Sequence, residues 1–159
     1  MSYETLTFSV TENIATITLN RPDAMNAMSP LMAKELHQVA LAVDERVDVR
    51  AVILTGAGKM FCAGGDLSAF AAAGEGARRL IMEMTGELHM ALSRLARNPA
   101  PVIAAVNGTA AGAGFSLVMA ADLAVGSSKA VFTMAYTNAG LSPDGSSTYY
   151  MPRKIGDRR

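Results

Sequence analysis

Two short stretches carry residue types suited to holding a developing oxygen anion. "MFCAGGDL" (60–67) sets Ala63, Gly64 and Gly65 before Asp66 and follows the apolar run "RAVILTGAGK". "NGTAAGAG" (107–114) follows a second apolar run, "PVIAAV", and again strips side chains from the backbone. Glycine and alanine let a ligand approach main-chain N–H groups closely. Such groups at the start of a helix lack internal partners and lie at the positive end of its dipole, so they suit an oxygen carrying negative charge. Two turns of this kind, each leaving a buried strand, can face one pocket. Close helix packing is the other reading of "GTAAGAG", and the motif alone leaves both open.

Nucleotide chemistry does not fit these residues. A phosphate-binding P-loop needs a glycine five positions before the Gly58–Lys59 pair and a hydroxyl after it, where Ile53 and Met60 stand. A dinucleotide fingerprint starting at Gly112 needs glycine at Leu117. Metal chemistry has no support either: with one cysteine, Cys62, and two histidines, His37 and His89, no spacing resembles a zinc or haem site. Lysine plus arginine equal aspartate plus glutamate, 14 each, so no net field selects a nucleic acid or an acidic surface as partner. A small anionic ligand remains compatible.

The elements that position the turns follow from periodicity. Alternation over residues 5–10 and 13–20 predicts an antiparallel hairpin. "RPDAMNAMSP" reads as a loop, and Ser29–Pro30 as cap and first turn of a helix turning Leu31, Leu36, Val39, Ala40 and Val43 inward. Residues 49–57 are apolar almost throughout, the pattern of a strand covered on both faces. A helix over 77–97 follows from Ile81, Met84, Leu88, Leu92 and Leu95, with Asn98–Pro99 as its stop. Then come a strand in "PVIAAVN", a small-residue turn with its helix, and short strands near "DLAVGS" and "AVFTMA". This alternation predicts one α/β domain over 1–159 with a largely parallel sheet.

The uncharged run 101–121 is long enough to span a bilayer, but Asn107–Gly108 and two further glycines divide it into a strand and a helix. "MSYETLTFSV" has no apolar signal-peptide core, and with a lone cysteine the expectation is a reducing, cytoplasmic setting.

"ITLNRPDAMNAM", "VILTGAGKMFCAGGDL", "PVIAAVNGTAAGAGFSLVMAADLAVGS" and "GLSPDGSSTYYMPRKIG" together resemble the crotonase, or enoyl-CoA hydratase/isomerase, superfamily. The specificity lies in four separate blocks occurring in the family's order. The resemblance implies a spiral of repeated strand-strand-helix (ββα) units and an acyl-CoA thioester substrate, with coenzyme A part of that substrate and no separate cofactor. It implies that the amides of Ala63 and Ala113 hold the thioester oxygen as it becomes an enolate, with Gly64, Gly65, Gly112 and Gly114 around them. Arg21 and Lys59 fall where the family meets the CoA adenine and phosphates, although a solvated surface charge is an equal reading. The chain ends at "KIGDRR", where the family continues into a helical segment that closes the acyl site and supports trimers or hexamers. The expectation is therefore an N-terminal core portion lacking that segment.

The proton-transfer residues depart from the hydratase pattern. Ser116 and Tyr136 stand where the resemblance places two glutamates, so two-glutamate hydration is not expected. Asp144 in "LSPDGSS" resembles the aspartate of isomerase and dehalogenase branches and is the candidate acid/base. Its other reading is a plain β-turn in "SPDG". Asp66 reads as a helix N-cap, Ser146 and Ser147 as caps of a helix near 148–156, and Tyr136 as core or pocket lining. Cys62 reads as a buried thiol and the two histidines as surface or core-edge residues. The expected reaction is double-bond isomerisation through an oxyanion-stabilised enolate. The alternatives are an unusual hydratase or a catalytically silent acyl-CoA-binding module.

Overall fold

The computed structural model describes residues 2–156. Strands β1 (Leu6–Thr11) and β2 (Ile14–Leu19) pair antiparallel, with Thr11 opposite Ile14. Glu12 and Asn13 between them both take positive φ, 50° and 64°, as a two-residue hairpin turn matched to strand twist demands. β2 pairs in parallel with β3 (Ala51–Gly56), β3 with β4 (Val102–Val106), and β4 with β6 (Leu123–Gly126). The sheet order is β1-β2-β3-β4-β6. A separate two-stranded parallel sheet joins β5 (Ala110–Ala111) to β7 (Phe132–Thr133).

Helices α1 (Pro30–Asp44) and α3 (Ala77–Leu95) pack against each other over the sheet. Ser29 caps α1, its Oγ accepting from Met32 N at 3.2 Å, and Pro30 opens the first turn. The inward face of α1 holds Met32, Ala33, Leu36, Val39, Ala40 and Val43, whereas Leu31 is 40 % exposed and leaves the expected set. α3 stops at Leu95, two residues short of the expected end, and buries Met84, Leu88, Ala91, Leu92 and Leu95. Contrary to the reading from apolarity, β3 is not equally covered on both faces: Val52, Leu54 and Gly56 are buried while Ala51, Ile53 and Thr55 are only half so. The helices seal one face of the sheet, and the other is partly open.

Shorter elements complete the chain. The 3-10 turn Pro22–Ala24 lies inside the segment expected as a loop. α2 (Leu67–Ala73) follows the first small-residue turn, α4 (Ala113–Ala120) follows the second, and α5 (Ser147–Ile155) comes last. β6 is exposed along its length, with Leu123 and Val125 61 % and 67 % accessible. Among the described residues no helix is long and apolar enough to cross a membrane, and no cluster of metal-ligating side chains occurs.

Glu35 on α1 fastens the start of β1. Its carboxylate accepts from Glu4 N and Thr5 N, both at 2.8 Å, and from the Thr5 hydroxyl. Burial by itself raises the pKa, but hydrogen bonds from the Glu4 amide and from the Thr5 hydroxyl and amide outweigh it and hold the carboxyl below its ordinary value. A depressed folded-state pKa stabilises above the unfolded value, and that stabilisation disappears as pH falls through the folded one. Glu35→Gln is expected to lower unfolding stability by about 2 kcal/mol at neutral pH and to flatten the acid limb of stability against pH, measured by urea denaturation.

Candidate active site

The turns after β3 and β4 are hydrogen-bonded to each other through their main chains. Phe61 N and Cys62 N both donate to Thr109 O at 3.1 Å, and Ala111 N donates back to Cys62 O at 2.9 Å. Asn107 accepts from Gly56 N at 3.2 Å and donates to Gly58 O at 3.0 Å, while Asn26 donates to Ala57 O and Met60 O, both at 2.8 Å. The contact is close enough to exclude a side chain at Gly114, where a Cβ would lie 2.4 Å from Cys62 O. Gly64 and Gly112 face each other with φ of 101° and 49°. Close packing of the two turns therefore accounts for the glycines at 64, 112 and 114.

Which amides remain free corrects the sequence reading at one position. Ala63 N donates to Met25 O at 3.1 Å and is not available to a ligand. Met28 N donates to Gly64 O at 2.7 Å and Asp66 N to Met28 O at 3.0 Å, forming a parallel bridge between Met28 and Gly65. In this pattern the N–H of Gly65 points away from Met28, and it has no protein acceptor among the described residues. Gly112 N is held by Thr133 O at 3.0 Å. Ala113 opens α4, and the carbonyl four residues earlier, Thr109 O, is taken by Phe61 and Cys62, so its amide is also free. Gly65 and Ala113 line one cavity of about 90 Å³. The amides of Gly65 and Ala113, unlike that of Ala63, are without a protein acceptor among the described residues.

Asp144 lines the same cavity. Tyr136 OH donates to its Oδ1 at 2.6 Å and lies 2.8 Å from Ser116 Oγ, which donates to Asp144 O at 3.1 Å. Ser147 Oγ donates to the same carbonyl at 2.7 Å, and Gly145 N donates to His89 Nε2 at 3.1 Å. Oδ2 has no protein partner among the described residues, so one carboxylate oxygen is fixed and the other is unengaged. Burial, then the bond to the Asp144 carboxylate, hold the Tyr136 phenol well above its ordinary pKa, with Ser116 acting the opposite way. Tyr136 thus stays protonated as a donor. Ala135, just before it, carries the unusual φ of 23°.

The remaining candidates divide between structure and surface. Asp66 caps α2, its Oδ1 accepting from Ala69 N at 3.1 Å, and pairs with Arg21 at 2.9 Å. Arg21 also donates to Ala27 O at 2.6 Å, so its guanidinium fastens the first loop to the turn. Lys59 is exposed and outside the cavity wall. Ser146 makes no side-chain cap. His37 Nδ1 meets Glu87 Oε2 at 2.7 Å, joining α1 to α3. His89 is exposed, as a surface residue was expected to be, and also supports the loop of Asp144, a contact across 56 positions that no local signal announces.

Comparison with known proteins fits this geometry. The family model described as "Enoyl-CoA hydratase/isomerase" matches residues 9–159. The chain belongs to the enoyl-CoA hydratase/isomerase family. It is 42% identical over 159 residues to a probable enoyl-CoA hydratase of Rhodobacter capsulatus, covering all of this chain and 60% of that protein. It is 38% identical over 151 residues to the 1,2-epoxyphenylacetyl-CoA isomerase of Escherichia coli, covering 94% and 58%. The crystal structure of an enoyl-CoA hydratase from a Polaromonas species superposes with a TM-score of 0.87 at 36% identity, covering 94% of this chain and 58% of that one. The fold is the crotonase-like one, and the chain spans about 60% of the length of these family members.

Two outcomes follow. Gly145 has φ of 57°, and a Cβ there would lie 2.6 Å from Ser116 Cβ. Gly145→Ala is expected to destabilise the protein by about 2 kcal/mol in urea denaturation. Burial pushes the Cys62 thiol up to about 11. At pH 8 a thiol reagent such as Ellman's is therefore expected to modify Cys62 only after unfolding, read as absorbance released with and without denaturant.

Proposed function

We propose that the protein isomerises the double bond of an enoyl-CoA thioester, with Asp144 as the single acid/base. The observation that carries this reading is one cavity lined by two free amides and one carboxylate with a free oxygen, beside a serine and a tyrosine in the glutamate positions of hydratases. The thioester oxygen sits between Gly65 N and Ala113 N. Asp144 Oδ2 removes a proton from the carbon next to the thioester carbonyl, and the electron pair moves onto that oxygen as an enolate held by the two amides. The same carboxyl returns the proton two carbons further along the chain, so the double bond moves into conjugation and no water is added. Tyr136 keeps the carboxylate turned toward the acyl group. Lys59, exposed beside the first turn, is available to the phosphates of coenzyme A.

A second reading is hydration, favoured by the hydratase name of the Rhodobacter relative; the isomerase name of the Escherichia coli relative favours the first. A β,γ-enoyl-CoA in deuterated water separates them. The expected product is the conjugated enoyl thioester carrying deuterium, whereas an unchanged β,γ-isomer together with stoichiometric hydroxyacyl product from an α,β-enoyl-CoA establishes hydration and overturns isomerisation. Binding of both thioesters without turnover of either identifies a binding module. Asp144→Asn is expected to retain thioester binding by calorimetry and to lower turnover by about 10³-fold. Ala113 is the first residue of α4, where proline is tolerated. Ala113→Pro therefore deletes one donor amide while keeping the helix, and is expected to lower turnover by about 10²- to 10³-fold.

A further inference from the structure

The two edges of the large sheet are built differently. Along β1 the outward positions are Thr7, Ser9 and Thr11, while Leu6 is buried and Phe8 and Val10 pack against the core. This is the alternation of an antiparallel strand with one face in water. β6 lies at the other edge, next to β4. All four of its residues, Leu123, Ala124, Val125 and Gly126, are exposed, so neither of its faces is covered. Val131 and Phe132, also exposed, extend the apolar surface. The Phe132 ring lies beside the strand, its Cζ 3.4 Å from where a Cβ on Gly126 would stand.

An edge strand leaves a row of N–H and C=O groups unpaired, and natural sheets blunt such rows with lysine, proline, a bulge or a cover. Residues 123–127, "LAVGS", hold neither charge nor proline, and among the described residues no strand pairs with the outer edge of β6. The two ends of the strand carry opposite charges. Asp122 precedes it and Lys129 follows it, both exposed and neither in an ion pair among the described residues. Asp122 Oδ2 accepts from Val102 N at 2.8 Å, and Lys154 donates to the main-chain carbonyls of Ala121 and Asp122. An antiparallel copy of β6 brings each Asp122 toward the other's Lys129, whereas a parallel copy sets like charges side by side. The net charge of the chain is zero at neutral pH, so no overall repulsion opposes the approach.

We propose that β6 pairs with β6 of a second copy, antiparallel about a two-fold axis, so that the two large sheets join into one. The same patch serves both partners, which closes the assembly at a dimer. Main-chain hydrogen bonds across the edge fix direction, and Leu123, Val125, Val131 and Phe132 supply the apolar area. None of these residues lines the cavity of Asp144, so the interface stands or falls separately from the proposed reaction.

The test is sedimentation velocity of the whole chain over a wide range of concentration. A monomer–dimer equilibrium with no larger species is expected. Val125→Lys puts a charge on the paired edge and is expected to weaken dimerisation by at least about tenfold, with the far-ultraviolet circular dichroism unchanged. Leu123→Lys is expected to do the same and serves if the first variant does not fold. Lys129→Glu removes the opposite charges at both ends and is expected to weaken the dimer by about threefold or more. Antiparallel self-pairing sets the middle of β6 opposite itself. Of Ala124→Cys and Val125→Cys, the one nearer the axis is therefore expected to give a disulfide-linked dimer under mild oxidation, while Thr7→Cys on the other edge does not. Cys62 is buried and stays out of this reaction. A monomer at every concentration overturns the inference and leaves the edge to a strand of a different chain. Open-ended association, a dimer unaffected by the lysine substitutions, or cross-linking no faster on β6 than at Thr7→Cys overturns it equally.

Discussion

The mutual hydrogen bonding of the two small-residue turns is the constraint on which the rest of the site depends. Thr109 O receives two amides from the first turn, and Cys62 O receives one from the second. These bonds form because β3 and β4 are parallel neighbours, so their carboxyl ends emerge side by side. Open sheets of this kind commonly place ligands at the carboxyl ends of their strands. The bonds also consume the acceptor that Ala113 N would otherwise use, and the bridge to Met28 turns Gly65 N the opposite way. Pairing of the turns and availability of two amides are consequences of one backbone arrangement.

Around Asp144 the construction is of another kind. The loop is held by side chains from four separate places: Tyr136 from a 3-10 turn, Ser116 from α4, His89 from α3 and Ser147 from α5. Each is a single hydrogen bond of modest net worth, about 1 kcal/mol, and their combined effect is directional. Oδ1 and the main-chain carbonyl are occupied, which leaves Oδ2 as the one unsatisfied oxygen. A phenol that keeps its proton suits this role, because it remains a donor wherever the carboxylate is ionised.

Much of this was legible in the chain because local signals and tertiary demands agreed. Ser29–Pro30 did start α1, the spacing of Met84, Leu88 and Leu92 did mark the inner face of α3, and the glycines of both turns did mark a close backbone approach. The choice of Gly65 over Ala63 was not legible: it depends on Met25 O and Met28 N, supplied by a segment more than thirty-five positions away, and both residues are small. The part played by His89 was hidden for the same reason. β3 looked covered on both faces because its side chains are nearly all apolar, yet only one face receives helices. Leu31 stands in the first turn of α1, where Met32 and Ala33 take the buried positions and leave it outside the core.

An N–H belonging to the main chain is present whatever side chain its residue bears, proline excepted. In the proposed reaction the oxygen-holding device at Gly65 and Ala113 is therefore written in chain path, and substitutions at 116, 136 and 144 leave it standing. Under that proposal, such a partition lets a descendant trade one reaction for another by altering a few side chains, with the backbone donors unchanged.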